Sequence, residues 1–187
     1  MTLPNEMVER LAAAAVDEKL ADALYTQIKT PIGELTVVQG PRGVCRVGFE
    51  AEHHDLVLSE VASVMGPRLL SSAEHTKTVT EAMEAYFAGE LTDFKLPVDL
   101  VMMRSDFRRK VLRRLRKVHG GKVTTYGSLA EAVGAPRAAR AVGTACATNP
   151  VPIIVPCHRV VPAGGGLGSY GGGVDRKRWL LEFEGAL

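Results

Sequence analysis

Ten consecutive residues, IIVPCHRVVP at 153–162, set the tightest limit on how this chain folds. Ile153, Ile154, Val155, Val160 and Val161 are β-branched and suit a sheet interior. Pro156 cannot donate to a strand ladder, and an arginine such as Arg159 is almost never fully buried unless paired. Between them stand a thiol, Cys157, and an imidazole, His158. The stretch must be apolar at both ends, broken in the middle and chemically equipped at the break. That is the pattern of a site.

A lone cysteine in an apolar run usually packs as a small hydrophobe. Here His158 follows at once, and Asn149-Pro150 precede by a short hinge. A neutral thiol is a poor nucleophile, and an adjacent imidazole can draw off its proton directly or through water. The pairing predicts a thiol that ionises below its free value of about 8.5. Such a base is usually oriented by a third group. Glu182 and Glu184 are the only carboxylates after Asp175, and spacing alone does not choose between them.

With 187 residues the chain has room for one compact domain or two small ones with a real core. No apolar run approaches the roughly 20 residues of a membrane span, and LAAAAV is too short and too closely flanked by charge for a signal peptide. Three cysteines with no CxxC pair argue against a disulfide framework or a Cys-rich zinc site and favour a reducing, cytoplasmic setting. The net charge of +2 conceals a division. Residues 1–100 hold 8 Lys/Arg against 16 Asp/Glu, a balance of −8; residues 101–187 hold 15 against 5, a balance of +10. A basic C-terminal half points to a polyanionic partner, nucleic acid first.

Organisation follows from punctuation. Residues 1–23 read as a helical appendage, Ala-rich over 5–23. Residues 24–50 alternate and break at Pro-Ile-Gly and Gly-Pro-Arg-Gly, as strands joined by hairpins do. Residues 73–88 carry Val79, Met83 and Phe87 at helical spacing and stop at Gly89. A boundary near 97–105 coincides with the change of charge sign, giving domains 24–100 and 101–187. Beyond it, Phe107, Val111, Leu112, Leu115 and Val118 mark the inner face of a helix whose other faces are basic, Arg108 among them. TYGSLAEAVG gives a short helix closed by Gly134, and Pro136 suits the first position of the next, PRAARAVGTACAT. Helix, tight turn, helix is the pattern of a helix-turn-helix. Its second helix is small-sided, with Ala139 and Gly143 free to approach another surface and Arg140 a long cation in its midst.

Two other motifs carry less. GLGSYG at 166–171 matches G-x-G-x-x-G, yet the acidic residue expected about 20 positions on would fall past the last residue and no βαβ unit surrounds it. It reads as a glycine-rich turn. His53 and His54 are adjacent, while His75 and His119 stand alone, so no metal-ligand set emerges and no cofactor is called for.

Taken together, NPVPIIVPCHRVV, TTYGSLAEAVGAPRAARAVG and GSYGGGVDRKRWLLEFEG resemble the O6-alkylguanine-DNA alkyltransferases, the methylated-DNA–protein-cysteine methyltransferases. The resemblance is continuous over residues 105–185 and looser over 24–100. It implies an α+β protein: a small N-terminal α/β, ribonuclease H-like domain, then a mostly helical, winged helix-turn-helix-like domain. It implies Cys157 as alkyl acceptor, His158 as its activator, Glu184 as the group that holds His158, and Asn149 as a brace at the hinge. Tyr126 would contact the flipped base, Arg140 would enter the stack in its place, and Val160 and Tyr170 would line the guanine pocket. Backbone around Ser169–Gly171 would close over it, and Ala139, Gly143 and Arg108 would lie toward DNA.

The implied activity is irreversible, single-turnover transfer of an alkyl group from O6-alkylguanine, and from O4-alkylthymine, in double-stranded DNA. The protein would act as a monomer or cooperatively along DNA, away from any membrane. The alternative is a helix-turn-helix protein that binds alkylated DNA without repairing it; related binders lack the acceptor cysteine, which is present here. A cysteine hydrolase would instead turn over repeatedly on an acyl substrate.

Overall fold

The computed structural model describes residues 5–18 and 20–187. Two compact units emerge: one runs to Leu91 and includes Lys95–Met102, the other holds Thr92–Phe94 and Met103–Leu187.

In the first unit, α1 (Asn5–Asp17) precedes a meander of β1 (Ala23–Thr30), β2 (Gly33–Gly40) and β3 (Gly43–Phe49), followed by α2 (His54–Met65), β4 (Leu69–Ser71) and α3 (Lys77–Phe87). The sheet order is β3-β2-β1-β4, with β4 parallel to β1 and the other pairs antiparallel. Both hairpins turn at the Pro-Gly clusters that the sequence marks. The outer edge of β3 is covered: Val44 N–H donates to the Pro97 carbonyl and Asp99 N–H to the Val44 carbonyl, each at 2.9 Å. Val57 and Val61, one turn apart on α2, are buried against Ala23, Val38 and Cys45. A Cβ on Gly48 would come within 2.5 Å of Val57, so this strand position stays bare to admit the helix.

Helix α2 and strand β4 are absent from the sequence reading. No Ser, Thr, Asp or Asn caps α2, whose N-cap is His53 at φ 57, and exposed Leu56 and Val64 blur its apolar stripe. On α3 the third buried position is Tyr86; Phe87 is only half-buried.

The second unit carries the helices. Its elements are α4 (Asp106–Leu115), β5 (Thr124–Thr125), α5 (Tyr126–Ala132), α6 (Ala139–Ala147), β6 (Val160–Val161) and α7 (Val174–Phe183). Ser105 caps α4 by accepting from Arg108 N–H, and Thr125 caps α5 by accepting from Ser128 N–H. Val111, Leu112 and Leu115 of α4, Leu129 of α5 and Val142 of α6 are buried. Gly134 ends α5 at φ 77, where a side chain would be strained.

Helix α6 begins at Ala139, three residues later than Pro136 suggests. Pro136 and Arg137 lie instead in a turn closed by Ala138 N–H on the Ala135 carbonyl at 2.8 Å. Ala135 offers no side-chain oxygen to cap a helix starting at 136. Arg140 is thus the second residue of α6, exposed near its N-terminus, and not at its middle.

Candidate active site

Residues 150–160 are all buried, yet only Val160 joins a strand. The rest is a chain of tight turns: Ile154 N–H reaches the Pro152 carbonyl, Val155 N–H the Val151 carbonyl, and Cys157 N–H the Val155 carbonyl, at 2.8–3.0 Å. Ile153 sits at φ 73, a left-handed conformation rare for a β-branched residue. Asn149 holds these turns. Its Oδ1 accepts from Val151 N–H at 3.1 Å, and its Nδ2 donates to the Val155 carbonyl at 2.8 Å and to the Cys157 sulfur at 3.1 Å.

Cys157, His158 and Arg159 form a 3-10 turn. Nε2 of His158 lies 3.0 Å from Oε1 of Glu184; the carboxylate can only accept, so Nε2 carries the proton and Nδ1 is left as the basic nitrogen. Glu184 also receives Arg159 Nε at 2.9 Å and Nη2 at 2.8 Å. Arg159 donates further to Asp93, the Thr92 carbonyl and the Val118 carbonyl. The side chains of His158, Glu184 and Arg159 are 0%, 2% and 3% exposed. The arginine in the apolar stretch is thus fully paired, and the geometry selects Glu184 over the exposed Glu182 as the group on His158.

Burial decides the charge states. It pushes the Cys157 thiol up to about 11, against the opposing pull of the Asn149 amide, Lys177 and the backbone N–H groups of Cys157 and His158. The expectation of a thiol ionised below about 8.5 is therefore reversed. Desolvation outweighs the imidazole, which burial itself holds below its usual range despite Glu184. Burial thus favours the neutral form of both groups.

Cys157 lies on a narrow cleft walled by Tyr126, Gly143, Cys146, Ala147, Ser169 and Tyr170. Tyr126, Gly143, Ala147 and Ser169 also line a wide open groove with Ala139, Arg140, Thr144 and Gly168. The cleft over the thiol is therefore continuous with a groove along α6. Gly171 lies against the Ala147 carbonyl, where a Cβ would stand at 3.6 Å. The Tyr170 ring meets His158 edge-on, with centroids 6.4 Å apart. Three residues expected to contact the base or DNA are not walls of either depression: Gly171 follows the last of the lining residues, Val160 is fully buried in β6, and Arg108 is half-buried at the start of α4. Burial lifts the Cys146 thiol, also on the cleft, to about 12.

His119 pairs with Asp93 at 2.8 Å, and His54 with Thr36 at 2.9 Å. Glu9, Glu74 and His75 offer ligand atoms within 4.8 Å of one another, but Glu9 is already used by Ser72 Oγ and Ala73 N–H.

Sequence reasoning passes over Lys177. It is 0% exposed, and its Nζ donates to the Val160 carbonyl at 2.6 Å. The signal was available: Leu180 and Leu181 follow it by three and four residues, so Lys177 shares the apolar face of α7.

Residues 106–186 match the family described as 6-O-methylguanine DNA methyltransferase, DNA binding domain, and residues 23–100 its ribonuclease-like domain. The methylated-DNA–protein-cysteine methyltransferase of Mycobacterium tuberculosis is 41% identical over 160 residues, covering 86% of this chain and 91% of its own. That of Methanosarcina acetivorans is 35% identical over 87% of this chain and 98% of its own. Among solved structures, the O6-methylguanine methyltransferase of M. tuberculosis superposes with TM-score 0.74 at 37% identity, over 88% of this chain and 93% of that one. The same organism's OGT in complex with DNA superposes with TM-score 0.73, over 87% and 93%.

Proposed function

This chain belongs to the methylated-DNA–protein-cysteine methyltransferase family, and from that premise we propose that it repairs DNA by taking the alkyl group of O6-alkylguanine onto Cys157. The observation that carries the assignment is the buried Cys157 sulfur at the base of a cleft continuous with the α6 groove, backed by His158 and Glu184.

The chemistry is a displacement at saturated carbon. A bond forms from Cys157 Sγ to the alkyl carbon as the bond from that carbon to O6 breaks, and guanine leaves with the electron pair. His158 Nδ1 takes the thiol proton, and Glu184 stabilises the imidazolium that results. The Tyr126 hydroxyl, at the mouth of the cleft, is suited to donate to the departing base. The product is a thioether, which has no carbonyl for water to attack, so each molecule works once.

A narrow cleft cannot admit a base still in its stack, so the nucleotide must swing out. Arg140, exposed at the start of α6 on the groove, would fill the gap, while Ala139 and Gly143 would let the helix backbone approach DNA. The same cleft would take O4-alkylthymine. The protein would act as a monomer or in cooperative arrays on double-stranded DNA inside the cell, and none of its described helices is long and apolar enough to cross a membrane.

Intact-protein mass after mixing with duplex DNA containing O6-methylguanine should show a gain of one methyl group per molecule. Peptide mapping should place it on Cys157 and leave Cys45 and Cys146 unmodified. Repeated turnover, transfer to Cys146, or binding without mass gain would each overturn the assignment, the last in favour of a non-catalytic binder.

A further inference from the structure

Helix α4 carries four cations that the mechanism above leaves unused. Lys110, Arg113, Arg114 and Lys117 are exposed, and among the described residues none of them forms an ion pair. By contrast Arg42, Arg68 and Arg109 each hold an aspartate. Lys117 lies just past the helix and continues it through a turn, its N–H on the Arg114 carbonyl at 3.1 Å. At about 100° per residue the four share one side, roughly 150° around from buried Val111, Leu112 and Leu115. Like charges three and four residues apart weaken a helix. Arg113 and Arg114, in the last turn, gain from the helix dipole, but Lys110 does not. Asp106 acts on Arg113 but already holds Arg109. A stripe that opposes its own helix suits an anion from outside the chain.

The stripe stands apart from the groove. Helix α4 packs on α6. Helix α6 turns Ala139, Arg140, Gly143, Thr144 and Ala147 to the groove and buries Val142, Ala145 and Cys146 on its other side. No α4 residue lines the groove or the cleft. Stripe and groove therefore open on different sides of the helix pair, about 20 Å apart, the thickness of two packed helices.

We propose that the α4 stripe is a second DNA-binding surface, which takes the phosphates of another duplex segment while the first lies in the α6 groove. This rests on the reading that the groove holds DNA. From Lys110 to Lys117 the stripe runs about 10 Å at about 1.5 Å per residue, the axial length of about three nucleotides of one strand. Cations on long stems hold phosphates without reading sequence. A protein seated on one segment meets the next segments of the same molecule at high local concentration, which favours DNA over an acidic protein as the occupant. The consequence is a hand-over between segments without full release.

The test is K110E/K117E, which turns every like-charge pair in the stripe into an opposite pair and leaves the groove alone. A dye-labelled undamaged duplex is loaded with protein at less than one copy per duplex, then displaced by unlabelled duplex. For wild-type protein the displacement rate should rise in proportion to competitor, and this dependence should weaken with salt at a log–log slope of about −3 to −4, from about 0.9 per phosphate contact. In K110E/K117E the rate should not depend on competitor, while the melting midpoint is not lowered and methyl transfer from a short damaged duplex stays within about twofold of wild type. Displacement independent of competitor in wild-type protein would overturn the proposal and leave the stripe to solvent or to an acidic protein. So would a variant that loses methyl transfer on the short duplex, because the stripe would then belong to the first DNA footprint. Wild-type protein that gains no methyl group yet shows competitor-dependent displacement would sink the repair reading alone.

Discussion

Replacing Glu184 with glutamine removes one negative charge from a cluster in which three N–H groups converge on its two oxygens. Glutamine keeps one acceptor and turns the other into a donor. That NH₂ would face an N–H of Arg159 or of His158. Breaking a buried ion pair by deleting one partner costs about 3–5 kcal/mol. Arg159 keeps Asp93 and the carbonyls of Thr92 and Val118, so the lower end applies, about 3 kcal/mol. For a chain of this size each kcal/mol moves the melting midpoint by about 2–4 °C, so E184Q should melt about 6–12 °C lower. The reaction should suffer separately. His158 is already held below its usual range by burial, and Glu184 is what pulls it back toward protonation. Without that pull the imidazole is a weaker base for a thiol at about 11, and single-turnover transfer should slow by about 10²–10⁴, the range of general acid–base contributions. Thermal melts and rapid-quench transfer measured well below the new midpoint separate the two effects. E182Q, at an exposed position, is the control and should alter neither. A melting shift under 2 °C with a transfer rate within threefold of wild type would refute the role given to the carboxylate.

Arg140→Ala should slow repair of duplex DNA by more than tenfold while leaving reaction with a free O6-substituted guanine and the melting midpoint nearly unchanged, since Arg140 is exposed and the role proposed for it is confined to flipping; equal losses on both substrates would refute this. Asn149→Ala removes donors to Cys157 and Val155 and an acceptor for Val151, so it should destabilise the protein by about 1–3 kcal/mol and raise the thiol further. Urea denaturation and a pH titration of thiolate absorbance check it, and an unmoved titration would show that the amide only braces the turns.

What the sequence makes legible depends on whether a residue's type conflicts with its surroundings. Pro156, Cys157, His158 and Arg159 in an apolar run do conflict, and the site stands there. The strands from Ala23 to Phe49 are legible because alternation and Pro-Gly turns agree. Helix α2 is not, because its cap is a histidine and two of its apolar side chains face solvent. Glu182 and Glu184 differ by two positions, nearly opposite sides of a helical turn, and only the fold shows which one turns inward. The sequence misleads about the thiol's ionisation for a related reason. Adjacency of His158 is visible in a sequence, whereas the desolvation that lifts Cys157 to about 11 belongs to the assembled core. Lys177 is masked by its basic neighbours Arg176 and Arg178, although its spacing to Leu180 and Leu181 puts it on the inner face.

The guanidinium of Arg159 reaches back to Thr92 and Asp93, residues that precede the rest of their unit by a detour through Lys95–Met102. The unit that holds Cys157 is therefore discontinuous along the chain. A fragment begun at residue 103 would contain every side chain assigned to the reaction, yet it would leave the buried arginine short of two of its acceptors. Glu184 would then hold more of that positive charge alone, at the expense of its hold on His158. An excised piece that keeps every acceptor of Arg159 must start at or before Thr92 and carry the detour with it, so it is longer than the stretch that holds the site.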